Sequence, residues 1–331
     1  MKILWVTNVP VPEASQLMGS PSTPFGGWLV ESARLLAERP NIDLVVAYPG
    51  PYTGEWQGRH ISFRQFSRLD TAYLPTGWHP PEFGTLLDSL QPDIVHIFGT
   101  EFSHSLAMVN ACSARGIKFA ISIQGLVSVY ATHYSTGLPG RVVYRHTVRD
   151  LIRRDSISQQ QQKLSRRGQL EVRALKKAKH IVGRTTWDQA CVARVNPSAT
   201  YHHCNEILRP DFFQGQWDSE QCTPYTLFTS QGSYPIKGLH LLLEALAGVS
   251  EEFPEAQLLV AGTPAISSDA RGRFLESSYS KYLRELCQRY QLEDRVQFMG
   301  PRSAAEMRKA MLSANAFILP STIENSPNSL G

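Results

Sequence analysis

Tyr225-Thr226-Leu227-Phe228-Thr229-Ser230-Gln231-Gly232-Ser233-Tyr234-Pro235-Ile236-Lys237-Gly238-Leu239 carries a change of period. Tyr225 to Ser230 is a short apolar, β-favouring run that ends at Gln231-Gly232. From Leu239 to Val249 the apolar residues recur at helical spacing. A strand, a glycine-flanked loop and a helix make one βα unit. The lysine inside the loop sits where a helix N-terminus offers N–H groups to an anion.

The same alternation continues on both sides. Downstream, Gln257–Ala261, Arg295–Met299 and Ala316–Pro320 read as strands, and Tyr279–Tyr290 and Ala304–Leu312 as helices. Upstream, Lys2–Thr7, Asp43–Tyr48, Asp93–Phe98, Lys118–Ile123 and His180–Gly183 read as strands, with a helix over Trp28–Arg39. Such alternation builds parallel sheets covered by helices on both faces. Asn205–Pro224, polar and holding two prolines, interrupts the pattern. The expected architecture is α/β: two doubly wound, Rossmann-like parallel-sheet domains facing a cleft. Residues 1–204 form the first, 205–224 a linker and 225–331 the second.

Bulk properties fit. A chain of 331 residues with 42% hydrophobic and 19% charged residues can bury two cores. A formal charge of +4 does not mark a nucleic-acid binder. Five cysteines without a CxxC pair fit reduced thiols in a cytoplasmic protein. Cys191, His202, His203 and Cys204 lack metal-ligand spacing, so no metal site is expected. Met1–Val6 is too short for a signal peptide, and no apolar run reaches membrane-spanning length.

Motifs at strand ends carry the chemistry. Gly26-Gly27 after the first strand allows close approach to a phosphate, or makes a plain turn. No GxGxxG follows a strand and no Walker A sequence occurs, which disfavours dinucleotide oxidoreductases and P-loop kinases. After Asp93–Phe98, Glu101 and His104 suit acceptor contact at a cleft rim, while His96 reads equally as a core histidine. Gln124, beside Gly125, suits hydroxyl binding or a turn. Lys237, with Gly232 and Gly238, is placed to neutralise phosphate. After Ala316–Pro320, Glu324 precedes a small polar loop, Asn325-Ser326-Pro327-Asn328-Ser329, whose N–H groups suit a pyrophosphate. Arg141–Lys179 is strongly basic: either a solvated helical face or a surface for anionic lipid headgroups or a lipid-linked phosphate acceptor.

In this order and spacing the motifs resemble the retaining glycosyltransferases of family four, over the whole chain. The likeness rests on Pro24-Phe25-Gly26-Gly27-Trp28-Leu29-Val30-Glu31, Pro92-Asp93-Ile94-Val95-His96, Gly183-Arg184-Thr185-Thr186-Trp187-Asp188, His203-Cys204-Asn205-Glu206-Ile207-Leu208-Arg209, Lys237-Gly238 and Glu324. The resemblance implies a GT-B fold and transfer of a sugar, with retention, from a nucleotide-diphosphate sugar to a saccharide or lipid-linked acceptor. It implies no cofactor and no metal ion. Lys237 would contact the diphosphate and Glu324 the donor sugar, as the catalytic pair. Gly26, Gly27, Gly232, Gly238, Ser326, Asn328 and Ser329 would complete the donor site.

Three departures stand out. Gly232 occupies a place where the family often has arginine, and Gln124 one where many members carry histidine. Gly331 is the last residue, one before the second glutamate of a Glu-x7-Glu element, so the expectation is a C-terminally truncated second domain. The alternatives are a non-catalytic nucleotide-sugar-binding remnant and a nucleotide-sugar epimerase. The expected location is cytoplasmic, with peripheral membrane contact through Arg141–Lys179.

Overall fold

The structure, a computed structural model, describes residues 1–20, 27–71, 73–267 and 270–331. Its chain divides into two compact units. Met1–Val129, Leu164–Leu208 and Asn325–Asn328 form the first. Tyr130–Lys163, Arg209–Glu324 and Ser329–Gly331 form the second. This division departs from the sequence boundaries at 130–163 and 325–328.

The first unit is built on eight strands: β1 (Lys2–Val6), β2 (Asp43–Gly50), β3 (Gly54–Gln57), β4 (Ile61–Ser67), β5 (Ile94–Phe98), β6 (Phe119–Ser122), β7 (His180–Gly183) and β8 (Thr200–His203). Their order is β3-β4-β2-β1-β5-β6-β7-β8. All pairs are parallel except β3 with β4. Side chains alternate across β1. Leu4 and Val6 enter one core with Val95, Ile97, Ile121 and the helix Ser103–Arg115. Ile3 and Trp5 enter the other with Leu44, Val46, Phe63 and the helix Gly27–Ala37.

The second unit holds β9 (Thr223–Thr229), β10 (Gln257–Ala261), β11 (Val296–Gly300) and β12 (Ala314–Phe317). All are parallel, in the order β11-β10-β9-β12. Strand β12 lies two to three residues earlier than expected. The helix before it ends at Ser313, and the chain enters the sheet at once.

One buried carboxylate organises the first unit. Glu171, on the helix Ile157–Lys177, is fully buried. It accepts hydrogen bonds from Thr100 Oγ1 (3.0 Å), the Val127 N–H (2.9 Å), the Ser128 N–H (3.0 Å) and Ser128 Oγ (2.5 Å). Burial pushes its carboxyl upward; the four donors pull it back. Nearby, a Cβ on Gly168 would meet Ser128 Cα at 2.6 Å, so glycine allows the approach. Glu171→Ala strands four donors and is expected to cost about 3 kcal/mol. Glu171→Gln keeps one acceptor oxygen and is expected to cost less. Unfolding midpoints of the two variants test that order.

Candidate functional site

In a parallel sheet, ligands bind beyond the strands' carboxyl ends, where the strand order reverses. In the second unit that place lies between β9 and β12, the neighbours from which the crossovers run in opposite directions. The pairing Phe317↔Phe228 brings their ends level, and the Ile318 N–H donates to Phe228 O at 2.8 Å.

The loop after β9 closes in a 3-10 turn, Pro235–Lys237. Gly238 follows with φ +70° and caps the helix Leu239–Glu252 without a side chain. A Cβ there would collide with Pro320 O, the residue leading out of β12. Glycine is thus required twice, for the left-handed backbone and for the close approach. The Thr322 N–H then donates to Ile236 O at 2.9 Å, tying the two loops together.

These constraints set Lys237 Nζ against Glu324 Oε1 as an ion pair, each side chain about a fifth exposed (21% and 19%). Ser321 Oγ donates to the same carboxylate oxygen at 2.8 Å. Tyr234 stands beside them: burial raises its hydroxyl, while the Lys237 charge lowers it. Gly232 is buried, and a Cβ there would meet Leu239 Cδ2 at 2.5 Å. Gly232, Lys237, Gly238 and Glu324 therefore come together. A pocket of about 480 Å³ in this unit is lined by Tyr234, Gln160, Thr263, Ser277, Ser280 and Asp155, among others.

The first unit holds the other expected residues. Gly27 opens its helix; Gly26 lies outside the described residues. His96 donates or accepts at Ser122 Oγ (2.6 Å) and packs edge-on against Trp5; burial lowers it to about 4. Glu101 and His104 are buried, not at a rim. Glu101 pairs with Arg167 at 2.8 Å, and His104 stacks on Phe102. Both residues sit where β5 turns into the buried helix Ser103–Arg115, and Arg167 of the helix Ile157–Lys177 packs there.

A polar cluster was not assigned from sequence. Arg184, at the end of β7, pairs with Glu206 (2.8 Å) and donates to Gln124 O (3.1 Å) and Asn325 O (3.2 Å). Thr185 Oγ1 donates to Asn325 Oδ1 at 2.9 Å, and Asn328 Nδ2 to Glu206 at 2.5 Å. Thr185 and Asp188 form a capping box that fixes this turn. The signal lay in Thr185-Thr186-Trp187-Asp188, the capping-box spacing. Ser326, at φ +53°, belongs to this segment, whereas Ser329 falls in the second unit.

No curated protein matches the chain by sequence. The family profile described as "Glycosyl transferases group 1" matches residues 213–330. That segment contains β9–β12, Lys237 and Glu324. HepE from Anabaena, solved with UDP and glucose, has a similar fold: TM-score 0.60, 13% identity, over 100% of this chain and 77% of that one. Sucrose-phosphate synthase from Thermosynechococcus elongatus gives 0.57 and 14%, over 99% and 77%. The lipopolysaccharide outer core galactosyltransferase WaaB gives 0.55 and 14%, over 100% and 77%. The fold is the GT-B type, with two Rossmann-like parallel-sheet units. Among the described residues, no three or more His, Cys, Asp or Glu side chains are grouped to hold a metal ion.

His104 makes acid stability a readout of this interior. Burial, helped by Arg167, lowers it from 6.5 to about 3. Between those values the unfolded chain binds a proton that the folded one refuses. Stability is therefore full above pH 6.5 and falls as pH drops through the window, by at most about 1.4 kcal/mol per pH unit. His104→Leu is expected to shrink the fall in unfolding midpoint between pH 7 and pH 5.

Proposed function

We propose that this protein is a glycosyltransferase that moves a sugar, with retention, from a nucleotide-diphosphate sugar to a saccharide or lipid-linked acceptor. The observation that carries the reading is the Lys237–Glu324 pair at the strand-order reversal, inside the segment that matches the group 1 profile. Two solved proteins of similar fold carry UDP with glucose or UDP-2-fluoro glucose, which supports a nucleotide-sugar donor.

Each residue has a chemical task in this proposal. Lys237 and the uncapped first turn of the helix Leu239–Glu252 supply positive charge to the leaving diphosphate. The diphosphate competes with Glu324 for the lysine. The freed carboxylate then accepts hydrogen bonds from donor-sugar hydroxyls. Gly232 and Gly238 keep side chains out of the phosphate path, and Ser329, in the same unit, serves the donor. No metal or cofactor takes part. Gln124, half-buried at the end of β6, serves the acceptor side.

A thermal-shift screen against UDP, GDP, ADP and CMP and their sugar conjugates tests the donor pocket. A ligand at about 100 times its Kd adds roughly 2.7 kcal/mol of stability. The expected result is a shift with one base that disappears in Lys237→Ala. Glu324→Gln is expected to keep the nucleotide shift and to lower turnover by about 10²–10³-fold. A shift that survives Lys237→Ala would place the nucleotide elsewhere.

A further inference from the structure

The short helix Val148–Arg153, in the second unit, is inside out. Its apolar residues Val148, Leu151 and Ile152 share one face, at i, i+3 and i+4. That face points to solvent: Leu151 is 63% exposed, Ile152 74% and Val148 47%. Tyr144, at the C-terminal end of the preceding helix Gly140–Val143, is 75% exposed.

The helix is held this way by a buried acid. Asp150 is fully buried. It caps its own helix through the Thr147 N–H (3.2 Å) and accepts from the Ser278 N–H (3.0 Å). Arg149 also bonds it, at 3.2 Å. Thr147 and Asp150 complete a capping box. Turning the apolar face inward would break all of these bonds. The outward face is thus a fixed feature of the fold.

Charge says what covers it. Of the five arginines between residues 141 and 154, Arg141 and Arg145 pair with Glu285, and Arg149 with Asp150 and Asp155. Arg153 and Arg154 are exposed beside Leu151 and Ile152. An exposed aromatic and three exposed aliphatic side chains, next to Arg153 and Arg154, match a bilayer interface with anionic headgroups.

We infer that Tyr144–Arg154 is a docking element for an anionic membrane surface, with Leu151 and Ile152 entering the headgroup layer and Arg153 and Arg154 meeting phosphates. This narrows the basic stretch Arg141–Lys179. Further along it, Lys163 reaches Arg154 O and Asp155, Arg167 pairs with Glu101, Arg173 bonds Pro75 O and Lys177 bonds Asn110. No helix among the described residues is long and apolar enough to cross a membrane, so attachment here is peripheral. The inference does not depend on the nucleotide-sugar reading.

The test is co-sedimentation of the 331-residue protein with phosphatidylcholine vesicles and with equal mixtures of phosphatidylcholine and phosphatidylglycerol. Binding is expected to the mixed vesicles, to weaken at about 0.5 M salt, and to be slight with phosphatidylcholine alone. Arg153→Glu/Arg154→Glu and Leu151→Asp/Ile152→Asp are each expected to lose at least about tenfold in binding, with unchanged unfolding midpoints. No binding to mixed vesicles, or equal binding by both double variants, overturns the inference. So does a self-associated protein that Leu151→Asp/Ile152→Asp makes monomeric, which would assign the face to a second copy.

Discussion

Parallel pairing of β9 with β12 is the constraint on which the candidate site depends. The two strands come from distant parts of the chain, yet their register puts Phe228 beside Phe317. Their loops must therefore leave the sheet side by side. The crossovers diverge from this pair, which leaves a crevice beyond its carboxyl ends. What fills it is backbone: Gly238 against the Pro320 carbonyl, and the Thr322 N–H on Ile236 O. A side chain at position 238 would separate the loops and, with them, Lys237 from Glu324.

Two carboxylates show how the fold divides stability from chemistry. Glu171 is wrapped by four donors with no exposed surface, so its bonds are fixed and its loss leaves unpaired groups in a dry core. Glu324 faces a single cation and one hydroxyl, with about a fifth of its side chain open to water. Solvent screens such a pair and lets either partner exchange. The first arrangement suits a support. The second suits a site where an incoming anion replaces one partner.

Much of this was legible in sequence. Apolar runs marked β1, β2, β5, β6, β7 and β9–β12, since strands buried on both faces are continuously apolar. Strands β3, β4 and β8 were missed. Gly54–Gln57 and Thr200–His203 lie at sheet edges and carry mostly polar or exposed residues. Within β4, Arg64 and Gln65 break the apolar run. The glycine-flanked lysine and the strand-end glutamate were legible because loop chemistry is local. Burial of Glu101 and His104 was not, because it depends on a helix 60 residues away that brings Arg167 to Glu101. The Arg184 cluster failed for the same reason: Glu206 and Asn325 are remote in sequence.

The helix Val148–Arg153 shows the limit of periodicity most clearly. Spacing of Val148, Leu151 and Ile152 defines an apolar stripe, and an apolar stripe ordinarily faces the core. Burying Leu or Ile would gain roughly 1.5–3 kcal/mol each. The opposite face carries Asp150, whose carboxylate bonds two backbone N–H groups and the Arg149 guanidinium. Exposing the carboxylate would take the acceptor from the Thr147 and Ser278 N–H groups; burying it seals the turn against the start of the helix Ser278–Arg289. The acid therefore decides which face points inward, and the apolar stripe is left where a membrane can use it.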